Sequence, residues 1–391
     1  MKEIRNSMWL IFFGLGLLLF IASVVYMTLQ VSRFGPVNKI VKQNKRIGLF
    51  ISFVIIAIVF VVISLAMSII NAMVVFLNIV MFFLLFGLAG KIIDKVSGKK
   101  AKGNFLGALA LITSLIYLCV SFYLCNNVWE KDYTLHTDKE LGNLKVAMFA
   151  DSHIGTTFDG DGFAVELGKI VEQKPDILFI VGDMVDDSSK RADFERACEA
   201  LSEVDIKYGV WYVFGNHDEG YGQSRDFNGQ DIREILTKNG INILEDEVSL
   251  VDDRFYVVGR KDRSHSPAKR MEELLSGIDT DKYIIVLDHI PNDYDNEAKS
   301  AVDLVLSGHT HGGQMIPITF LGEGLGINDS TYGHKAINGT DFIVTSGISD
   351  WEIDFKSGVK SEYVIIDIDC KYRDYSLYSN ALFMCTYISS E

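Results

Sequence analysis

The chain has 391 residues, too many for one small domain, and a formal net charge of −14 at pH 7. Residues 1–125 contain 12 basic and 2 acidic residues, whereas the rest of the chain contains 25 basic and 49 acidic residues. A basic, apolar third before an acidic portion predicts a membrane domain joined to a soluble one. The acidic balance argues against a nucleic-acid partner, because binding to a phosphate backbone needs a basic patch.

Four apolar stretches in the first third predict transmembrane helices, at about residues 8–31, 47–70, 72–92 and 105–125. Each is close to the ~20 residues that cross a hydrocarbon core of ~30 Å. The run from 47 to 90 carries no charge and is too long for one crossing, so we divide it near Asn71. The first stretch is not read as a signal peptide, because no A-x-A-like cleavage site follows it and three more spans come after it.

Basic residues concentrate in two loops between these stretches. The first loop carries Arg33, Lys39, Lys42, Lys45 and Arg46, and the second carries Lys91, Lys95, Lys99, Lys100 and Lys102. The positive-inside rule predicts that both loops are cytoplasmic, which places both termini and the soluble domain outside the cell. Lys2 and Arg5 near the N-terminus favour the opposite orientation.

The soluble part is predicted to be an α/β domain over residues 144–391, after a membrane domain at 1–125 and a polar tether at 126–143. Apolar runs predict strands at 144–150, 176–181, 209–214, 255–258, 283–287, 303–306, 342–345 and 363–368. Helical spacing is found at 162–173 and 191–204. This alternation predicts a largely parallel sheet, and the surplus of later strands predicts a second sheet packed on the first.

Five short motifs follow apolar, strand-like runs in this domain. In chain order they are Asp151-Ser-His153, Gly182-Asp183, Gly215-Asn216-His217-Asp218, His289 and Gly308-His309-Thr310-His311, and they hold five of the eight histidines. Open α/β sheets bind ligands at the carboxyl ends of their strands. The motifs are therefore expected to meet at one edge of the fold.

These residue types are the ones that two divalent metal ions ~3.5–4 Å apart need for the hydrolysis of a phosphate ester. Asp151 and His153 can reach one metal ion, and Asp183 on its glycine turn is the candidate bridging carboxylate. Asn216 offers an amide oxygen. The remaining ligands of the two coordination spheres are His289, His309 and His311.

Residues 144–369 resemble the calcineurin-like metallophosphoesterase superfamily on these motifs. Residues 286–291 and 302–314 are similar to its bacterial membrane-linked branch, which includes enzymes similar to the pyrophosphatases of UDP-diacylglucosamine. The resemblance implies a four-layer α/β/β/α sandwich and two divalent metal ions, which could be Mn, Zn or Fe.

The resemblance also implies roles for individual residues. It implies that the first metal is held by Asp151, His153, Asp183 and His311, and the second by Asp183, Asn216, His289 and His309. It further implies that His217 protonates the leaving group or stabilises the transition state.

One segment departs from the pattern of that branch, which usually has a Gly/Pro-rich segment ending in Arg after a Ser-Gly motif. Here residues 350–356 are rich in acids and end in Lys356. Because lysine cannot reproduce the bidentate phosphate contact of arginine, substrate recognition in this segment is expected to differ.

The expected function is a membrane-anchored phosphohydrolase that acts on phosphodiester or pyrophosphate bonds in lipid or cell-envelope substrates on the outer face. Three alternatives remain: a non-catalytic envelope receptor with the same fold, transport or sensing by the helices, and a cytoplasm-facing nucleotide or protein phosphatase. A receptor would be expected to lack a metal ligand, yet none is lost. Transport would favour ionisable residues within the spans, and residues 47–90 have none.

Overall fold

A computed structural model of the protein describes residues 2–98, 105–220, 224–264 and 266–370, without the side chains of residues 2–13 and 15. Lys99, Lys100 and Lys102 of the second basic loop, His265, and residues 371–391 of the predicted soluble domain lie outside the described residues. The chain forms two compact units. The first is Met1–Leu124 with Glu352–Phe355, and the second is Cys125–Trp351 with Lys356–Glu391. The limits given above for the domains stay a prediction.

The first unit is helical. Its helices are α1 (Lys2–Val31), α2 (Gly35–Gln43), α3 (Lys45–Ala66), α4 (Ile69–Ser97) and α5 (Phe105–Asn126). The uncharged run divides at Met67 and Ser68, where the Ser68 hydroxyl accepts a hydrogen bond from the Asn71 amide and caps α4. Among the described residues, α3, α4 and α5 are long and apolar enough to cross a membrane. A fourth span results if Gly16–Val31 and Gly35–Gln43, which are bent by 87°, count as one.

The second unit is built from two six-stranded sheets. The strands are β1 (Val128–Thr137), β2 (Leu144–Phe149), β3 (Ile177–Val181), β4 (Val210–Val213), β5 (Asn242–Ile243), β6 (Glu247–Val251), β7 (Phe255–Gly259), β8 (Tyr283–Leu287), β9 (Leu304–Ser307), β10 (Gly333–Ile337), β11 (Thr340–Val344) and β12 (Ser361–Cys370). The helices are α6 (Gly160–Glu172), α7 (Arg191–Ser202), α8 (Gly229–Lys238), α9 (Met271–Leu274), α10 (Tyr294–Glu297) and α11 (Leu321–Gly324), with 3₁₀ turns at His311–Gly313 and Ile318–Phe320.

The strand order places the ends of the central strands of both sheets together. The first sheet has the order β1-β12-β2-β3-β4-β5, in which β2 to β5 are parallel, and the second has the order β10-β11-β9-β8-β7-β6, in which β7, β8, β9 and β11 are parallel. The central strands consist of apolar residues buried on both faces, as parallel strands covered on both sides require.

Three buried apolar clusters separate four layers. One lies between α6, α7 and α8 and the first sheet, and it includes Phe163 and Phe194. The second lies between the sheets, where Phe179 and Ile285 are fully buried. The third packs α9 and α10 on the second sheet, with Tyr294 against Phe342 at 4.0 Å between ring centroids. The predicted four-layer α/β/β/α sandwich is confirmed.

All eight predicted strands and both predicted helices of the soluble part are present, and the structure contains several further elements that were not predicted. The segment read as a polar tether contains β1, which pairs in parallel with β12 along ten residues. The charged side chains of β1 do not fit the pattern of a buried strand, but an edge strand needs only one partly buried face and tolerates them. Strands β5, β6 and β10 and helix α8 were also missed, since they are short or carry many polar residues.

Candidate metal centre

The predicted ligand residues follow the ends of five strands and form two compact groups. Asp151 and His153 follow β2, Asp183 follows β3, Asn216 follows β4, His289 follows β8, and His309 and His311 follow β9. Asp151, His153 and His311 can bring one ligand atom each within 4.8 Å of the others, and so can Asp183, His289 and His309. These six residues are therefore divided between two sites of the size of a metal ion.

The carboxylate of Asp183 lies between the two groups. Its Oδ2 is 3.1 Å from Nε2 of His289 in its own group and 3.9 Å from Nε2 of His153 in the other. Its Oδ1 accepts a hydrogen bond of 2.8 Å from the amide of His217, which holds the turn containing Asn216 against it. Asn216 is buried in this turn. Asp183 thus has the position that a bridging carboxylate would need.

The orientation of His289 is fixed by the backbone. Its Nδ1 lies 2.7 Å from the carbonyl oxygen of Val181, and because a carbonyl only accepts, Nδ1 carries the proton and donates it. Its other nitrogen, Nε2, is buried without a hydrogen-bond partner of good geometry among the described residues and faces Asp183. This is the arrangement of a metal-binding imidazole whose second nitrogen is held by a hydrogen bond.

The backbone is left-handed at five of the predicted ligands. The values of φ are 56° at Asp151, 37° at His153, 53° at Asp183, 70° at His309 and 48° at His311. Non-glycine residues seldom adopt this conformation, and residues in it cluster at functional sites. The loops after β2, β3 and β9 therefore contain unfavourable backbone conformations at the positions of the predicted ligands.

Two glycines let these loops approach each other. A Cβ atom at Gly182, where φ is 81°, would lie 2.5 Å from Nδ1 of His289 and 2.7 Å from the amide nitrogen of Gly215. A Cβ atom at Gly308 would lie 2.7 Å from Oδ2 of Asp151. Neither position has room for a side chain without displacing a predicted ligand.

The structure gives a role to Asp218, which the sequence reading left without one. Its buried carboxylate accepts backbone hydrogen bonds from Asp183 (2.9 Å), Met184 (3.0 Å) and Gly215 (2.7 Å). It therefore ties the loop after β3 to the loop after β4. Burial, reinforced by the charge of Asp183, raises the pKa of Asp218 to about 6.

The candidate catalytic residue His217 lies beside both groups. Its ring is 5.1 Å from that of His153 and 5.0 Å from that of Trp351, measured between centroids. Burial lowers the pKa of His217, although the charge of Asp183 opposes this shift. Trp351 is exposed, and its ring lies on one side of the His217 ring.

The electrostatics favour a cation beside Asp183. Burial would raise its pKa, but the positive charges of His289, His153 and His217 together outweigh burial and lower it. Burial would likewise lower the pKa of His289, but the charge of Asp183 holds it well above the ordinary value. Burial and then the charge of His289 lower the pKa of His309 to about 3, which keeps its ring neutral, the form that binds a metal ion.

Asp350 and Lys356 form an ion pair next to the predicted ligand His311, which the sequence did not predict. Oδ1 of Asp350 is 3.2 Å from Nδ1 of His311, while its Oδ2 is 3.2 Å from Nζ of Lys356. Lys356 is fully buried and donates to the carbonyl oxygens of Ser346 (2.7 Å) and Ser349 (3.0 Å). Its ammonium group is therefore committed to the protein and does not take the place of a phosphate-binding arginine.

The donor set fits two divalent ions. Imidazole and carboxylate ligands converge in two groups, of which Asp183 belongs to the second, and Nε2 of both His153 and His289 is buried without a hydrogen-bond partner of good geometry among the described residues. Asp186 lies 3.6 Å from the other nitrogen of His153. Of the three histidines outside the motifs, His136 and His334 are described, and both are exposed and belong to neither group.

Comparison with known proteins identifies the family to which the chain belongs. Residues 144–313 match the family model described as calcineurin-like phosphoesterase. An uncharacterized metallophosphoesterase of Aquifex aeolicus is 36% identical over 195 residues, covering 46% of this chain and 69% of that protein. An uncharacterized metallophosphoesterase of Campylobacter jejuni is 29% identical over 302 residues, covering 72% of this chain and 76% of that protein. A transmembrane protein with a metallophosphoesterase domain from Danio rerio is 30% identical over 201 residues, covering 47% of this chain and 44% of that protein.

The chain therefore belongs to the calcineurin-like metallophosphoesterase family. It is a hydrolase of phosphoester bonds, and members of this family use a dinuclear metal centre, for which the structure offers two groups of candidate ligands. The apolar helices and the transmembrane relatives indicate a membrane protein.

Proposed function

We propose that the protein is a multi-pass enzyme of the cell membrane that cleaves phosphodiester or pyrophosphate bonds in lipid or cell-envelope substrates on the outer face. The observation that carries this proposal is the junction between its two parts. Helix α5 ends at Asn126 and strand β1 begins at Val128, so one residue joins a candidate membrane span to a catalytic sheet. A phosphoester in a membrane lipid is within reach of a domain tethered so tightly.

We assign the ligands as the sequence motifs suggest. Asp183 is shared, the first ion is also held by Asp151, His153 and His311, and the second by Asn216, His289 and His309. When bound, two such ions neutralise charge on the phosphoryl oxygens and activate water as the nucleophile. His217 donates to the leaving-group oxygen, because its ring lies beside both groups and Trp351 shields one side of it.

The side of the membrane on which the catalytic unit lies can be predicted from the basic residues that flank α5. Lys91, Lys95, Lys99, Lys100 and Lys102 precede this helix, whereas residues 127–141 that follow it include two basic residues, Lys131 and Lys139. The positive-inside rule then predicts that the start of α5 is cytoplasmic and the catalytic unit outside, whether two or three spans precede α5. The orientation thus does not require the bent pair in α1 and α2 to cross the membrane.

Protease treatment of intact cells after wall removal tests this orientation. Digestion of the catalytic unit under these conditions supports an outward-facing site. Complete protection, followed by digestion after lysis, would place the site in the cytoplasm and make intracellular nucleotides or phosphoproteins the expected substrates.

The activity is tested with the purified full chain and Mn²⁺ against phosphate monoesters, phosphodiesters and pyrophosphates, with the Asp183→Asn variant as the inactive control. Turnover of diesters or pyrophosphates above monoesters supports the proposed bond class. A metal-loaded protein that binds these compounds without turnover would instead favour a receptor.

A further inference from the structure

Large apolar side chains are exposed immediately after the motif that contains His309 and His311. We call them the apolar patch: Ile318, Phe320, Leu321, Leu325 and Ile327. Phe320 and Leu325 are 67% and 66% exposed. Elsewhere in the described part of the second unit, exposed large apolar residues such as Val165 and Leu250 are far apart in sequence. Concentrated apolar exposure of this kind marks a binding surface.

The patch is anchored to the candidate metal centre. The 3₁₀ turn Ile318–Phe320 and helix α11 carry its first residues. The amide of Thr319 donates to the carbonyl of Met315 (3.1 Å), and its hydroxyl donates to the carbonyl of Gly313 (3.3 Å), two residues after His311. Whatever binds the patch is therefore held at a fixed position relative to the loop that bears two of the predicted ligands.

The chemistry of the patch fits a lipid rather than a charged partner. Residues 314–328 contain a single ionisable side chain, Glu323. Its carboxylate is occupied, since Oε1 accepts from the amide of Thr331 (2.7 Å) and Oε2 lies 3.0 Å from Nζ of Lys335. The segment itself contains no basic residue, and Lys335 beside it is paired with Glu323. Branched aliphatic residues and a phenylalanine in such surroundings suit the boundary between headgroups and acyl chains, where apolar burial provides the binding free energy.

The chain also determines which lipid surface is available. Because only Asn127 separates α5 from β1, the second unit remains at the membrane that holds its own helices, at a high effective concentration of lipid. We infer that the apolar patch docks into the surface of this membrane and presents lipid-linked phosphoesters to the metal centre. The docking does not depend on the proposed function, whereas the choice of substrate rests on it.

Photocrosslinking of the full chain tests the docking directly. The photoreactive residue p-benzoylphenylalanine is placed at Phe320 or Leu325 in protein reconstituted into vesicles of phosphatidylethanolamine and phosphatidylglycerol. Val165 on α6 is the matched control, because its 64% exposure is close to the 67% of Phe320 and the 66% of Leu325. Lipid adducts at Phe320 and Leu325 and none at Val165 are expected. Equal adducts at all three positions, none at any, or crosslinks to a second copy would overturn the inference.

A kinetic comparison tests the role in substrate delivery. The Phe320→Ser/Leu325→Ser variant is expected to lower the ratio of kcat/KM for a vesicle-borne lipid pyrophosphate to kcat/KM for a soluble diester by roughly tenfold or more, because tethered contacts raise effective affinity. Val165→Ser should leave this ratio unchanged. An unchanged ratio in the patch variant would overturn substrate delivery. If the wild type hydrolyses neither compound, the proposed function fails, while lipid adducts still decide the docking.

Discussion

Replacing Asp350 by asparagine is expected to weaken metal binding at the group that contains His311. Oδ1 of Asp350 and Nδ1 of His311 are 3.2 Å apart, and neither atom has a hydrogen-bond partner of good geometry among the described residues. A carboxylate behind a metal-binding imidazole orients the ring and raises its basicity, and losing it typically lowers metal affinity by about 10–100-fold. This loss corresponds to about 1.4–2.8 kcal/mol of binding free energy.

The same substitution removes the counter-charge of Lys356. The two side chains are fully buried, with Nζ 3.2 Å from Oδ2. Breaking a buried ion pair by removing one partner typically costs about 3–5 kcal/mol of the free energy of unfolding. The double variant Asp350→Asn/Lys356→Met removes both charges. It should recover the part of the stability lost to the unpaired charge, but its metal affinity should remain low.

Two measurements separate these effects. Metal affinity is followed by the visible absorbance of Co²⁺, and stability by urea unfolding of the full chain in detergent with EDTA. Asp341→Asn is the matched control, because Asp341 pairs with His334 at 2.7 Å away from both ligand groups. Wild-type Co²⁺ affinity in Asp350→Asn would refute the reasoning. Recovery of affinity together with stability in the double variant would show that Asp350 acts through folding alone.

Three further substitutions test the site and its surroundings. Asp183→Asn should reduce bound metal below two ions per chain and nearly abolish turnover, as measured by elemental analysis and diester hydrolysis. His217→Ala should keep both ions while lowering kcat by about 10²–10⁴-fold. Glu362 is fully buried and accepts a hydrogen bond from Tyr332 (2.8 Å), and burial raises its pKa above 4.5. Its stabilising contribution is complete below the unfolded pKa and is lost as the pH rises through the higher folded pKa, so Glu362→Gln should gain stability relative to wild type as the pH rises above the ordinary glutamate pKa.

Each of these expectations has an outcome that would contradict it. Two ions per chain and near-normal turnover in Asp183→Asn would exclude a bridging carboxylate at this position. Loss of metal in proportion to activity in His217→Ala would make His217 a ligand. A stability difference between Glu362→Gln and wild type that stays constant with pH would mean that Glu362 has the same pKa in the folded and unfolded chain.

The parts of the fold that position the ligands could be predicted because their strands are buried on both faces. Strands β3 and β8 are continuous apolar runs, and the second residue after each of them is a polar residue that interrupts the apolar pattern. Asp183 and His289 were therefore recognisable from local sequence alone. Strand β1 was not, since Glu130, Lys131 and Asp132 in its middle are tolerated only because the strand lies at an edge.

The residues that hold the ligands in place could not be predicted, because their partners are distant in the chain. Asp218 binds the amide of Asp183 from 35 residues away. Asp350 reaches His311 from another loop, and Lys356 is buried among carbonyl oxygens that no local pattern reveals. Aspartate and lysine are common in surface loops, so only the tertiary fold distinguishes these residues from solvated ones.

The left-handed backbone of the ligand residues determines which substitutions are informative in this protein. Asparagine and aspartate adopt this conformation more readily than other residues with a Cβ atom, for which it costs roughly 1–2 kcal/mol. Asn at position 151 or 183 therefore changes the charge of a ligand and leaves its loop intact. Alanine at His153, His309 or His311 keeps the unfavourable φ while removing the metal that could offset it, so the loop itself can relax. Asparagine is the better replacement for these histidines when the question concerns the metal and not the fold.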